Sequence, residues 1–418
     1  MCVADGGVKT DRLSPAMVDK LTFLRGVGKQ FWDLTDARIV NRNITMLRLG
    51  TLLLLCGSVF ANELTINKIE DAAKAGQFTN IKIGNIQVPA GQTLHLKGLK
   101  AGTKIDFVGK VTFGFKQWEG PLIKIEGKGI TVTGSPGHVI DCDGKRWWDG
   151  KGGNGGTTKP KFFAARLTDS SISNLNVKNL PVHGFSINSC QKLAITGVNI
   201  DVSSGDYANG AHNTDGFDVG SSSDIQIKNC NVKNQDDCLA INSGKNILFQ
   251  GNTCSGGHGI SIGSVGARKD NVVQGVIIKD NVVMKSTNGI RVKTVLNAVG
   301  SVSDVTFENI KLVDISKVGI TVQGNYLNGG PKGEPTGGVP IRDLTIKNVY
   351  GNVLPKGTNI LVWVKNASNW KFAFRTLWEV KDKIWRRTIK QDSDAQWRGP
   401  GQCFADHPQP RATRFTFP

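Results

Sequence analysis

The chain has 418 residues, with 52 Lys and Arg against 34 Asp and Glu, a formal net charge of +18 and 51 glycines. Its basic residues are scattered singly, without a Lys/Arg run or a basic helix, which argues against a nucleic-acid partner and leaves an acidic polymer as the simpler one. Val, Ile, Thr and Asn are dense between residues 80 and 370, a composition suited to strands and turns rather than helices.

In chain order, the first legible segment begins at Met46. A basic start, a short apolar stretch and Val59-Phe60-Ala61 as a cleavage site predict a secretion signal over 46–61. Its dozen or so apolar residues are too few to span a bilayer as a helix, so the mature form is expected to be extracellular and free of the membrane. Such a signal normally opens a chain, which makes residues 1–45 a doubtful extension. Thr65 to Ala75 carries apolar residues at helical spacing, with Asn67 and Glu70 placed like a capping box, and predicts a short helix capping the N-terminal end of the next domain.

That domain, residues 62–370, is built from two alternating strand signatures. One reads Gly184-Phe-Ser-Ile-Asn188, Gly216-Phe-Asp-Val-Gly220, Cys238-Leu-Ala-Ile-Asn242, Gly259-Ile-Ser-Ile-Gly263, Gly289-Ile-Arg-Val-Lys293 and Gly319-Ile-Thr-Val-Gln323, each apolar at its second and fourth positions. This is the period of a strand with one face buried. Between them lie segments such as Ile195-Thr-Gly-Val198, Ile227-Lys-Asn-Cys230 and Ile278-Lys-Asp-Asn281, whose starts fall 22 to 39 residues apart with Asn, Asp or Gly at a bend. Repeats of that length, without amphipathic helices to cross over, predict an all-β right-handed parallel β-helix. After Trp370 the repeat stops, and 371–418 reads as an aberrant or disordered tail.

Stacked coils bring equivalent positions together at about 4.8 Å. The residue before each second-signature strand is His183, Asp215, Asp237, His258 and Asn288 in turn. Asp236 adjoins Asp237, and Arg291 and Lys293 face outward from the Gly289 strand. Carboxylates packed so closely raise one another's pKa, which costs stability and is seldom kept without function. Glycoside hydrolysis needs such a set, one carboxyl as acid and another as base.

Asn213-Thr-Asp-Gly216, Gln235-Asp-Asp-Cys238, Gly257-His-Gly259 and Arg291-Val-Lys293 resemble, in order, the four signature motifs of glycoside hydrolase family 28, the polygalacturonases. Tyr326 resembles the tyrosine that follows them, and Trp147-Trp-Asp-Gly-Lys-Gly152 belongs to the same resemblance. It implies Asp236 as general acid, Asp215 and Asp237 as the pair that holds and deprotonates water, and His258 as a residue tuning the acid. Arg291 and Lys293 would bind substrate carboxylates, Tyr326 would shape the subsite, and Asn213 would position Asp215 or sugar. Inversion, with acid and base about 6.5–9.5 Å apart, follows for such a mechanism. Cys238 and Cys254 match a disulfide of the family, while Cys230, in an inward column with Leu175 and Val198, reads equally as a buried free thiol.

The resemblance implies an endo-acting, monomeric enzyme on polygalacturonate or pectin, with no cofactor and no metal. The loops Ser203–His212 and Asn328–Val339 are long enough to reach over a groove but are Gly-rich, expected to be mobile and not expected to wall it off. A β-eliminating enzyme of the pectate-lyase kind, using calcium, and a pectin-binding pseudoenzyme are the alternatives.

Overall fold

The computed structural model describes residues 63–327 and 329–373, with the backbone of the strand Trp385–Arg386. The expected extension and signal, residues 1–61, and most of the expected tail lie outside these residues. Among the described residues, strands stack coil upon coil in parallel register. The sheet that carries the expected column runs through Phe185–Asn188, Phe217–Gly220, Asp237–Ile241, Gly259–Val265, Asn288–Val295, Val318–Leu327 and Thr358–Trp363. A second sheet joins Gln191–Thr196, Ser222–Lys228, Gly244–Gln250, Val272–Lys279, Ser301–Ile315 and Ile341–Val353. The third is made of short strands, Asn176–Lys178, Asn199–Asp201, Asn231–Lys233, Thr253–Ser255 and Val282–Met284. This is the parallel β-helix read from the repeats, right-handed as parallel crossovers nearly always are.

Alternation along each strand sends one apolar column inward. Phe163, Phe185, Phe217, Leu239, Ile260, Ile290 and Ile320 follow one another in register and are all buried. Phe185 stacks on Phe217 with ring centroids 5.4 Å apart. Each such side chain contributes about 1.5–3 kcal/mol by leaving water, so the core grows with every coil. Corners are set by left-handed residues: Asn174, Gly197, Asn229, Gly251, Asp280, Asn309 and Asn348 share one bend with φ between 50° and 69°. Asn, Asp and Gly are the residues that tolerate that region, which explains their recurrence in the sequence.

Three expectations need correction. Thr65 and Ile66 belong to the strand Glu63–Ile66, paired with Asn80–Ile83; burying Leu64 and Ile66 on alternate positions wins over helix there. The cap is instead a 3-10 helix, Ile69–Gln77, which buries Ala72 and Ala75 and starts from Lys68 without a side-chain cap bond. Asn67 lies against Gly84, where a Cβ would sit 2.0 Å from its Oδ1. The ladder also passes Trp370: Lys371–Ala373 pairs with Thr345 to Lys347, and Trp385–Arg386 with Leu361 and Val362. Finally, Gly330–Pro331 pairs antiparallel with Tyr326 and Leu327, and Asn325, Gly324 and Thr336 tie the segment down through hydrogen bonds, so the Asn328–Val339 loop is anchored at its base.

Candidate active site

Backbone hydrogen bonds fix the expected column. Gly184 N donates to the Asp215 carbonyl and Gly216 N to that of Asp237, each at 2.8 Å, and His258 N donates to the Asp236 carbonyl at 2.8 Å. Between Asp237 and Leu239 the register against the next strand shifts. At this bulge Cys238 is the extra residue, and Asp236, in the turn just before the strand, reaches the same site as Asp237. Asn234, buried behind them, donates to the carbonyls of Thr214, Asp236 and Asp237 at 2.9–3.1 Å and pins this turn. The Cys238–Cys254 disulfide follows immediately, while Cys142, Cys190 and Cys230 are buried free thiols.

The two adjacent aspartates have different partners. Asp236 receives His258 Nδ1 on Oδ1 at 2.9 Å and Asn213 Nδ2 on Oδ2 at 2.8 Å. Asp237 is held by cations: Lys293 Nζ at 2.9 Å and the Arg291 guanidinium, with the Ser261 hydroxyl donating at 2.9 Å. Lys293 also lies 5.2 Å from the Tyr326 ring centroid, a cation–π distance. Asp215 stands one coil away, its carboxylate 4.0 Å from His183 Nε2.

Burial and mutual repulsion divide these carboxyls. Desolvation pushes Asp215 well above the usual carboxylate range, and the charges of Asp218, Asp236 and Asp237 add to it. Asp218, facing outward from the neighbouring strand position, is pushed up to about 7 by burial and then by Asp237 and Asp236. Burial acts the same way on Asp236, but the hydrogen bond and charge of His258, with Lys293 and Arg291, outweigh it and hold the carboxyl below its ordinary value. Burial likewise pulls His183 down to about 4, helped by Lys161, so its ring is neutral above that pH. In the unliganded site Asp215 therefore keeps a proton more readily than Asp236.

Residues 78–378 match the family described as glycosyl hydrolases family 28. The chain belongs to glycosyl hydrolases family 28. It is 57% identical over 297 residues to a polygalacturonase of Cochliobolus carbonum, covering 70% of this chain and 81% of that protein. It is 53% identical over 308 residues to endopolygalacturonase 1 of Colletotrichum lindemuthianum, covering 72% and 85%. Among solved structures it is similar to endopolygalacturonase I from Stereum purpureum complexed with two galacturonate, at 34% identity and a TM-score of 0.67, covering 75% of this chain and 96% of that one.

Within this family 28 site the structure gathers Asn213, Asp215, Asp236, Asp237, His258, Arg291, Lys293 and Tyr326 on one face. Two details differ from the sequence reading. Asn213 contacts Asp236 rather than Asp215. One oxygen each of Asp236 and Asp237 lie within 4.8 Å of each other, as neighbours in the chain, closer than the span expected between acid and base. The sequence reading gave no role to Asp218, Ser261 or Gln235. Asp218 and Ser261 occupy outward strand positions in register with Arg291, a signal available from the repeat once its face is known. Gln235 braces the turn, its Nε2 donating to Asp206 at 2.7 Å while Thr214 Oγ1 donates to its Oε1 at 2.7 Å.

Proposed function

We propose that the protein is an endo-acting polygalacturonase that hydrolyses the α-1,4 linkages of polygalacturonate or pectin. The observation that carries this reading is the pairing of an acid site, Asp236 with His258, with a buried cationic pair, Arg291 and Lys293, on one face of the helix. Arg and Lys offer five and three N–H donors. After contacting Asp237 and, for Arg291, Ser261, donors remain for a galacturonate carboxylate, which a neutral glycan lacks.

Asp236 delivers the proton to the leaving oxygen, and Asp215 with Asp237 holds the attacking water. A substrate carboxylate settling on Lys293 and Arg291 offsets the positive charge that keeps Asp236 ionised, so binding itself raises the acid's pKa toward the value its task needs. Asp237, occupied by two cations and a hydroxyl, makes a poor direct nucleophile, which favours water as attacker and inversion despite its short approach to Asp236. The raised Asp215 supports a second assignment in which it, rather than Asp236, is the donor; its lack of a proton partner as close as His258 is to Asp236 disfavours this.

Asp236, Asp237 and His258 bring ligand atoms within 4.8 Å of one another. Arg291 and Lys293 on Asp237 make this a poor divalent-cation site, which counts against calcium-assisted elimination. Proton NMR of the first product tests the reading: a saturated reducing end in the β configuration is expected, and an unsaturated sugar would overturn hydrolysis. The protein is secreted in this reading, with residues 46–61 as its signal and the catalytic unit beginning at Asn62; N-terminal sequencing of secreted material beginning before Met46 would contradict it. No helix among the described residues is long and apolar enough to cross a membrane.

A further inference from the structure

A side-chain amide can present either end to a neighbour, since its oxygen accepts and its nitrogen donates. At Asn213 the choice decides whether Asp236 meets a donor or a second acceptor. Two donors from a loop some sixty residues earlier in the chain converge on Asn213 Oδ1: the backbone N of Gly153 at 3.0 Å and Asn154 Nδ2 at 3.1 Å. With its oxygen so engaged, Asn213 turns Nδ2 to Asp236 Oδ2 at 2.8 Å. The flipped amide would face the Gly153 N–H with an N–H and the Asp236 carboxylate with an oxygen, two unfavourable contacts that no rotation relieves, and would keep a bond to Asn154 only if that amide flipped too.

The loop is built for close seating. Gly152 has φ +56°, and a Cβ there would lie 2.4 Å from Asn213 Oδ1 and 2.5 Å from the His212 carbonyl, so only glycine lets the loop approach. Its root is clamped by Asp149, which accepts from Lys151 N at 3.0 Å, Thr157 N at 2.8 Å and the buried Lys159 ammonium at 2.9 Å. These bonds outweigh the opposing effect of burial and hold Asp149 down to about 2, so the clamp stays charged across the working range.

We propose that the loop 150–156 locks the Asn213 amide in the orientation that donates to Asp236, making Gly153 and Asn154 positioning residues for the proton donor. This rests on the polygalacturonase reading for its kinetic consequence, though not for its structural one. Asp236 is faced by His258, Arg291 and Lys293 as cationic or hydrogen-bonding groups, by Asp215, Asp218 and Asp237 as acids, and by His183 farther along the same column. None of these touches Asn154. Losing the Asn213 donor removes a bond that favours the ionised carboxyl, so the Asp236 pKa moves up.

The test compares Asn154→Ala, Asn154→Gln and Gly152→Ala with the unaltered chain. Asn154 is exposed, so melting is expected to be unchanged in its variants. For Asn154→Ala, the Asp236 carboxyl loses its fixed orientation. At a pH low enough to keep the acid protonated in both proteins, where a raised pKa brings no compensating gain, kcat on polygalacturonate falls about 2- to 12-fold, the worth of one hydrogen bond, with KM nearly constant. The Asp236 carboxyl carbon, followed by NMR in aspartate-labelled protein, titrates at higher pH. Gly152→Ala gives the same shift or a larger one, and Asn154→Gln recovers part of the loss. Unchanged Asp236 titration and kcat in both alanine variants would overturn the proposal. An unaltered chain that fails to cut polygalacturonate would instead overturn the functional reading, and the carboxyl titration would still decide the role of the loop.

Discussion

Lys293→Met removes one charge from the centre of the site while keeping a stem of similar length and apolar character. Lys293 is 5% exposed, stands 2.9 Å from Asp237 and packs near the Tyr326 ring. At an effective dielectric of 20 the attraction across 2.9 Å is about 6 kcal/mol before desolvation is counted. Removing one partner of a buried pair costs about 3–5 kcal/mol. Arg291 stays on the same carboxylate, so the lower end applies to stability. Activity loses a charge-assisted bond to the substrate carboxylate, worth about 1.5–3 kcal/mol, which is about 10- to 150-fold in kcat/KM. Initial rates on polygalacturonate at several ionic strengths, with a thermal melt alongside, measure both. The unaltered enzyme should lose affinity as salt rises, and the variant less steeply. A variant within threefold of the original kcat/KM, with the same salt dependence, would refute charge pairing at this position.

Substrate binding should move the alkaline limb of the pH profile. His258, Lys293 and Arg291 hold Asp236 below its usual range in the free protein, and a bound carboxylate offsets the last two. The alkaline limb of kcat is therefore expected at higher pH than that of kcat/KM; superimposed limbs would remove substrate-assisted protonation from the mechanism. Among the aspartates, Asp236→Asn should lower kcat by about 10²–10⁴-fold with substrate binding retained. Asp215→Asn should cost activity but little stability, because burial disfavours the charged form of this carboxyl and the neutral amide of similar shape does not bear that cost. Asp237→Asn should cost both, since it leaves Arg291 and Lys293 buried with a neutral partner; kinetics and calorimetry on the three variants would distinguish these outcomes.

The repeat made most of this legible from the chain. Apolar second and fourth positions located the catalytic-face strands, and the residue before each strand gave His183, Asp215, Asp237 and His258 as one column. Their chemistry was less visible, because it depends on distances across coils rather than on spacing along the chain. Asp218 looks like any outward strand residue, yet it is half-buried and its carboxyl lies in the field of Asp237 and Asp236. Asn154 meets Asn213 only because a glycine-rich loop folds back over the groove. The cap was misplaced at its start because Ile66, which alternates with Leu64 as a strand residue, also stands three residues before Ile69, a helical spacing. Past Trp370 the pattern weakens to single residues such as Phe372, and only pairing with Thr345 to Lys347 reveals the strand.

The central claim is that this cleft binds polygalacturonate anywhere along its length and hydrolyses it internally. Viscosity and reducing ends followed together during digestion of polygalacturonate test it most directly. Viscosity is expected to collapse while few reducing ends have formed, with saturated oligomers as early products. Early monomeric galacturonate with nearly constant viscosity would contradict it and would assign one of the two long loops to closing the groove.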